Sequence, residues 1–249
     1  MPIHYSPIYY SLDDGTKTCD VLDLYTTRIY AKISTILVEK TFVDLISNIL
    51  QQLGVNKSIT FVSSQLAQSL YLLDDKHRQS KSVIIDCGHI TTSVTIAEGQ
   101  GLTLLNEFSL GGGYITADLM KWLKLSYTSS EALKKKLVLS LSTTCDDVYE
   151  VKAGSEMLTI PAQTANNITI AKIETIAKTI KKCLSNSTEN INDAQIYLTG
   201  GGLCYIKGAK EILASKIGKN IVILAPAIPQ LAKPHYSSVL SLLSYALEN

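Results

Sequence analysis

Two apolar strands in this chain each run straight into a glycine turn, and few features constrain a fold as tightly. "VIIDCGHITTSV", residues 83–94, passes from three apolar residues to Asp86, Gly88 and the Thr91–Thr92 pair, then becomes a strand again. "IYLTGGGLCYIKG", residues 196–208, ends an apolar strand in Thr199 and three glycines, with a helix soon after. Three consecutive glycines are costly in backbone entropy, so they suggest positive φ or the close approach of a ligand. The first turn suits phosphate, whose oxygens accept from backbone N–H groups and threonine hydroxyls. Asp86 is then placed to hold Mg²⁺ through its waters, since that ion dehydrates reluctantly. Each stretch has a plainer reading as well, a hairpin for the first and a strand-to-helix turn for the second. Neither stretch decides alone.

The rest of the chain supplies strands with intervening helices, an α/β pattern. Residues 1–80 read as a small α+β unit, with strands in "IHYSPIYYSLDDG" and "RIYAKISTILVEK". A helix follows on the spacing of Phe42, Leu45, Ile46, Ile49, Leu50 and Leu53, capped by Gly54. "SITFV" reads as a short strand, "SQLAQSLYLL" as a helix and "DDKHRQSKS" as a polar connector. Residues 81–249 form the second unit. It opens with strands 83–86, 91–97 and 102–110, the glycine run "LGGG", and a helix over 114–124 that presents Ile115, Leu119, Trp122 and Leu123 to the sheet. Residues 126–190 are more polar and read as a smaller subdomain: the helix "SSEALKKKLVLSL", a hairpin in "VYEVKAGSEMLTIP" and a helix over 169–184. The last section is strand, glycine turn, helix 207–217, strand "NIVIL", a proline-punctuated loop and a closing helix over 236–247.

Composition removes several function classes. The 249 residues are 46% hydrophobic and 18% charged with net charge +1, which gives no electrostatic case for nucleic acid. Five scattered cysteines without a C-x-x-C pair argue against a disulfide framework or a zinc site and fit a cytoplasmic protein. No apolar run approaches the ~20 residues that span a bilayer, and no signal peptide is evident. His4, His77 and His235 lack metal-ligand spacing, so structural or surface roles are expected, and no serine-nucleophile signature is present. Glu131 and Lys134, at i and i+3, could bracket a ribose or base, or form a surface ion pair.

Both glycine loops in this order, about 110 residues apart, resemble the actin-like ATPase superfamily (ribonuclease H-like fold), and within it the bacterial division protein FtsA. "VIIDCGHITTSVTIAEGQGLTLLNEFSLGGGYITADLMKWL" looks like the family's second phosphate loop, hairpin and connecting helix. "SSEALKK" resembles its adenine-side helix and "IYLTGGGLCYIKGAKEIL" its adenosine loop. Residues 1–80 resemble the SHS2-like insert that FtsA carries in place of actin's 1B subdomain, which the pilus protein PilM shares in related form. The resemblance implies a partial actin-like fold that binds ATP or ADP with Mg²⁺. It assigns Asp86, Gly88, Thr91, Thr92, Glu131, Lys134, Gly200, Gly201 and Gly202 to the nucleotide and Asp86 to the metal. It implies a divisome scaffold linking FtsZ to other division proteins on the inner face of the membrane. A PilM-like pilus or secretion scaffold and a slow ATPase are the alternatives.

Departures from the family pattern shape the expectation. The N-terminal phosphate loop is expected before residue 1, and the amphipathic membrane-binding helix after residue 249. Such a chain is a protein shortened at both ends or a fragment, with an apolar face open to self-association or a partner. Ile90 replaces the second glycine of D-x-G-x-G-T-T, with His89 before it, and Ser93 replaces the following aspartate. A β-branched residue disfavours positive φ and is expected to crowd a phosphate, so ATP hydrolysis is expected to be inefficient or lost.

Overall fold

The computed structural model describes residues 1–55, 57–154 and 156–248. Strand β4 (Ser82–Cys87) is buried along nearly its whole length, as an unbroken apolar run requires when both faces of a strand are covered. It sits at the centre of a five-stranded sheet with β5 (Thr92–Glu98), β6 (Gly101–Phe108), β9 (Gln195–Thr199) and β10 (Ile221–Ile223), in the order β10-β9-β4-β5-β6. Strands β10, β9 and β4 run parallel, while β5 and β6 return antiparallel. The register of β4 on β9 pairs Ile85 with Leu198 and Asp86 with Thr199. Both glycine turns therefore leave the sheet side by side at the carboxyl ends of parallel strands, where open α/β sheets bind ligands.

Helices cover both faces. On one side α4 (Gly112–Leu123), α6 (Ala162–Ser185) and α7 (Ala209–Ile217) bury Ile115, Leu119, Ile173, Ile176, Ile180 and Leu213 against Val83, Ile85, Val94, Ile96 and Leu198. On the other, Leu66 and Leu73, in and just after α2 (Ser64–Leu72), pack with Ile84, Ala97, Leu102 and Tyr197. The closing helix α8 (Ser237–Glu248) lies along α2. A smaller group comprises α5 (Tyr127–Lys136) and the hairpin of β7 (Val148–Ala153) and β8 (Glu156–Pro161). The N-terminal region is a three-stranded antiparallel sheet, β2 (Lys17–Thr18), β1 (Pro2–Leu12) and β3 (Ile29–Leu37), followed by α1 (Lys40–Gln52). Its inner face carries buried Ser6, Ile8 and Ser34. Ser34 Oγ donates to the Leu102 carbonyl at 2.8 Å and accepts from the Leu102 N–H at 3.2 Å, pinning β3 to β6.

Several local expectations change. "SITFV" makes no ladder and is loop. The polar connector contains a helical turn, α3 (Asp75–Gln79), capped by Asp74, which accepts from the His77 N–H at 2.9 Å. Arg78 is buried there because its guanidinium donates to the Leu70 and Leu73 carbonyls and to Asp75. Trp122, expected against the sheet, is 64% exposed; Ile115 and Leu119 make that contact. Helix α5 stops at Lys136, because Leu139 N–H donates instead to the Lys207 carbonyl at 2.7 Å. Helix α6 begins seven residues before the expected start at 169, continuing its buried stripe back through Ala165 and Ala162.

Candidate functional site

The two glycine turns and a third, Gly111–Gly113, meet face to face. Gly202 N–H donates to the Cys87 carbonyl at 2.7 Å, and Gly112 and Gly113 donate to the Gly88 and His89 carbonyls at 2.9 and 2.6 Å. A Cβ on Gly112 would lie 2.6 Å from the Gly202 backbone, and one on Gly202 would lie 2.3 Å from the Gly88 carbonyl oxygen. Gly200 has φ +85°, and a Cβ there would meet Asp86 Oδ1 at 2.3 Å. Close packing thus explains Gly111, Gly112, Gly113, Gly200 and Gly202 without a ligand. It does not explain Gly201, which lacks positive φ and whose Cβ would meet only His235 Cβ, at 3.2 Å.

Gly201 faces a cavity of about 770 Å³ at this end of the sheet. Its walls include Asp86, Gly88, Glu131, Lys134 and the whole Gly200–Gly202 turn, so seven of the nine residues expected to hold nucleotide converge on one space. Thr91 and Thr92 do not line it. Thr92 is fully buried, and its hydroxyl donates to the Leu110 carbonyl at 2.8 Å, because β-sheet alternation turns it toward the core. Thr91 gives its carbonyl to the Gly88 N–H at 2.9 Å, closing the turn. That turn needs no positive φ at His89 or Ile90. Ile90 is 64% exposed and does not line the cavity, so it does not crowd this space as the sequence suggested.

Glu131 and Lys134 are not a surface pair. Lys134 is buried, and its ammonium donates to Glu131 Oε1 at 2.6 Å, Thr116 Oγ1 at 2.8 Å and the Gly112 carbonyl at 3.2 Å. The network ties α5 to the first turn of α4, beside the glycine contact. Burial acts to raise Glu131, but the bonds from Lys134 and Thr116, with the charges of Lys134 and His89, hold its carboxyl below the usual range. Asp86 behaves oppositely. Burial pushes its carboxyl above the usual range, the Gln68 amide donating to Oδ2 at 2.6 Å works against that, and the charge of Glu107 adds to it.

Sequence reading missed the far wall. Tyr205, Ile206, Pro234, His235 and Ser238, with His89 and Lys135, complete the cavity, and Tyr205 hydroxyl and His235 Nδ1 share a hydrogen bond. His235, expected at a structural or surface position, owes this place to the Pro234–Tyr236 turn, held by Thr199 Oγ1 donating to the Pro234 carbonyl at 3.3 Å. Nothing in the local sequence signals the pairing, because 30 residues separate Tyr205 from His235. Among the described residues, no group of three His, Cys, Asp or Glu is placed to hold a metal ion directly.

The family described as cell division protein FtsA matches residues 83–241, a span that holds both glycine turns and the cavity wall. The chain belongs to the FtsA family. Its similarity to FtsA of Bacillus subtilis is 23% identity over 248 residues, 98% of this chain and 56% of that protein. FtsA of Agrobacterium fabrum is 26% identical over 261 residues, 98% and 57% of the two chains. The chain thus spans a little over half the length of the curated relatives it matches. Among solved structures, MreB 5 of Spiroplasma citri bound to AMPPNP superposes with a TM-score of 0.68 at 13% identity, covering 84% of this chain and 65% of that one. The PilM–PilN type IV pilus biogenesis complex gives 0.65 at 14% identity, covering 99% and 66%. The fold is therefore actin-like. Among the described residues, no helix is long and apolar enough to cross a membrane.

Proposed function

We propose that this FtsA-family chain is an actin-fold scaffold of the bacterial divisome. In this reading it links FtsZ to later division proteins, and an adenine nucleotide held in the cavity tunes those contacts. Residues 1–80 act as the insert that meets partners, and residues 81–249 carry the nucleotide. The chain works at the inner face of the membrane.

Gly201 is the observation that supports nucleotide most directly. A side chain there would press only on His235, whose Cβ would lie 3.2 Å away, yet the position is bare and faces the cavity. A flat base or ribose lying on the Gly200–Gly202 turn accounts for that. Tyr205 and His235 would then flank the nucleoside on one side and Glu131 with Lys134 on the other. The phosphates would then lie by the Gly88 turn, which lines the cavity. A bound Mg²⁺ would neutralise phosphate charge through its water shell, facing Asp86. Because Asp86 already accepts from Gln68 and its carboxyl is raised, binding of the ion is weak and turnover slow in this reading.

Titration calorimetry with ATP and ADP in Mg²⁺ tests the proposal, comparing the chain with Gly201→Val. Binding by the chain that Gly201→Val removes supports it. Absence of binding, or binding that the variant retains, sinks the nucleotide part and leaves protein contact as the whole function.

A further inference from the structure

A phosphate turn holds its ligand through backbone N–H groups, and here most of those groups are already bonded within the protein. Gly88 N–H donates to the Thr91 carbonyl, and Gly112 and Gly113 donate to the Gly88 and His89 carbonyls. Gly200 N–H donates to the Pro234 carbonyl at 3.3 Å, and Gly202 N–H to the Cys87 carbonyl. The Thr92 hydroxyl is bonded to the Leu110 carbonyl. The Lys134 ammonium is held by Glu131, Thr116 and Gly112. A phosphate lying by Gly88 therefore needs a donor from a side chain.

His89 is placed to supply it. It follows Gly88 directly, lines the cavity and makes no side-chain hydrogen bond among the described residues. Its ring lies against the first turn of α4, where a Cβ on Gly113 would come within 2.8 Å of Nε2 and 2.9 Å of Cε1. The Tyr127 ring meets it edge to face, with centroids 6.4 Å apart. The charged and titratable groups around it are Tyr127, Glu131, Lys134 and Lys135 from α5, Asp86 from the end of β4 and His235 from the far wall. Two carboxylates against two ammonium groups leave these walls near neutral while both histidines are uncharged, a poor setting for a polyanion. Lys135 stands with Glu131 and Lys134 on the nucleoside side, whereas His89 belongs to the phosphate turn itself.

We propose that His89 is the side chain through which this cavity recognises its ligand's phosphate, the protonated imidazole donating to phosphate oxygens in place of the backbone. The inference rests on the nucleotide reading above and adds a regulation to it: the nucleotide is held more tightly in mild acid. A histidine changes charge between roughly pH 5 and 8, and imidazolium to phosphate is a charge-assisted bond, stronger than a neutral one. The charge of His89 already reaches Glu131 across the cavity.

Titration calorimetry of the 249-residue chain without Mg²⁺ tests this, with ADP and adenosine as probes at about pH 8 and about pH 6. ADP should bind roughly tenfold tighter at the lower pH, the low end of what a hydrogen bond to a charged group contributes. Adenosine, which carries no phosphate, should bind equally at both. The terminal phosphate of ADP takes up a proton near about pH 6, which opposes this change and so cannot produce it. His89→Gln should abolish the pH dependence. His89→Lys, charged at both pH values, should hold ADP tightly at both, and circular dichroism checks that each variant folds. Equal ADP affinity at the two pH values in the unaltered chain overturns the proposal and leaves the nucleotide reading standing. A pH dependence that survives His89→Gln also overturns it, since Asp86 or His235 would then be responsible. Failure of both ADP and adenosine to bind sinks the nucleotide reading, and this inference with it.

Discussion

At the level of single residues, the glycines around the cavity divide by what their missing Cβ would strike. Gly202→Ala drives a methyl to 2.3 Å from a backbone oxygen of the β4 turn, which cannot give way. It should cost about 2 kcal/mol or more, in the range of overpacked cores, while Gly201→Ala, needing only a small shift of His235, should cost less than about 1 kcal/mol. Urea unfolding of the two variants makes the comparison, and equal costs would contradict the packing described. The two cavity carboxylates give opposite pH signatures. Glu131 is held below its ordinary value of 4.5. Its contribution is therefore present above that pH and is lost as pH falls through the lower folded value. Acid unfolding of Glu131→Gln should accordingly be less steep than that of the unaltered chain, and identical profiles would remove Glu131 from the network. Asp86 is raised, so its contribution is lost as pH rises through the folded value. Asp86→Asn, which keeps an acceptor for Gln68, should raise the melting temperature at neutral pH and leave it unchanged in acid. A lower melting temperature at neutral pH would show that the charge is stabilising after all. Burial also raises the Cys87 thiol to about 11 and the Cys204 thiol to about 12. A disulfide exchange reagent at mildly alkaline pH should consequently label exposed Cys19 and Cys145 quickly and leave these two intact.

Among the elements, the closing helix shows how a distant segment is fixed to the site. Thr199 at the end of β9 shares a 2.7 Å hydrogen bond with Ser237 at the start of α8, and both hydroxyls are buried. Thr199→Val strands the Ser237 hydroxyl and leaves the Pro234 carbonyl with the Gly200 N–H, at 3.3 Å, as its donor. It should cost about 1–3 kcal/mol and weaken any ligand that leans on His235. A double-mutant cycle with Ser237→Ala checks the coupling, and additive losses would show that the two hydroxyls act separately. The elements also show where pattern reading held. Strands β4 and β9, the hairpin β7–β8 and the stripe of α1 follow the apolar spacing closely. The misreadings share a cause: Arg78 is buried through carbonyl contacts from α2, and Leu139 leaves its helix for a partner 68 residues away. Periodicity registers neither event.

For the molecule as a whole, stability is unevenly spread. The five-stranded sheet is buried between helices on both faces, while the N-terminal sheet buries little beyond Ser6, Ile8 and Ser34. Amides of β1 and β3 should therefore exchange with solvent well before those of β4 and β9, as regions with few buried apolar contacts do. Hydrogen-exchange mass spectrometry reads this directly, and equal protection would mean that the insert and the sheet open as one unit. Residues of 1–80 are not confined to the insert sheet, since α2 belongs to the core of the five-stranded sheet.

The sequence alone determined the α/β class and the order of most elements, and it marked the two glycine turns, whose approach only the resemblance to the actin-like superfamily implied. Apolar periodicity and the entropy cost of glycine are local properties that need no partner. Only the tertiary structure decided that Thr92 faces the core, that Ile90 points away from the cavity, that Glu131 and Lys134 form a buried network and that Tyr205 meets His235. Those outcomes depend on strand register and on contacts between residues far apart in the chain. The same physics explains why Gly201 differs from Gly200 and Gly202 only in three dimensions: those two are hemmed in by the β4 turn, while a Cβ on Gly201 would meet His235 alone.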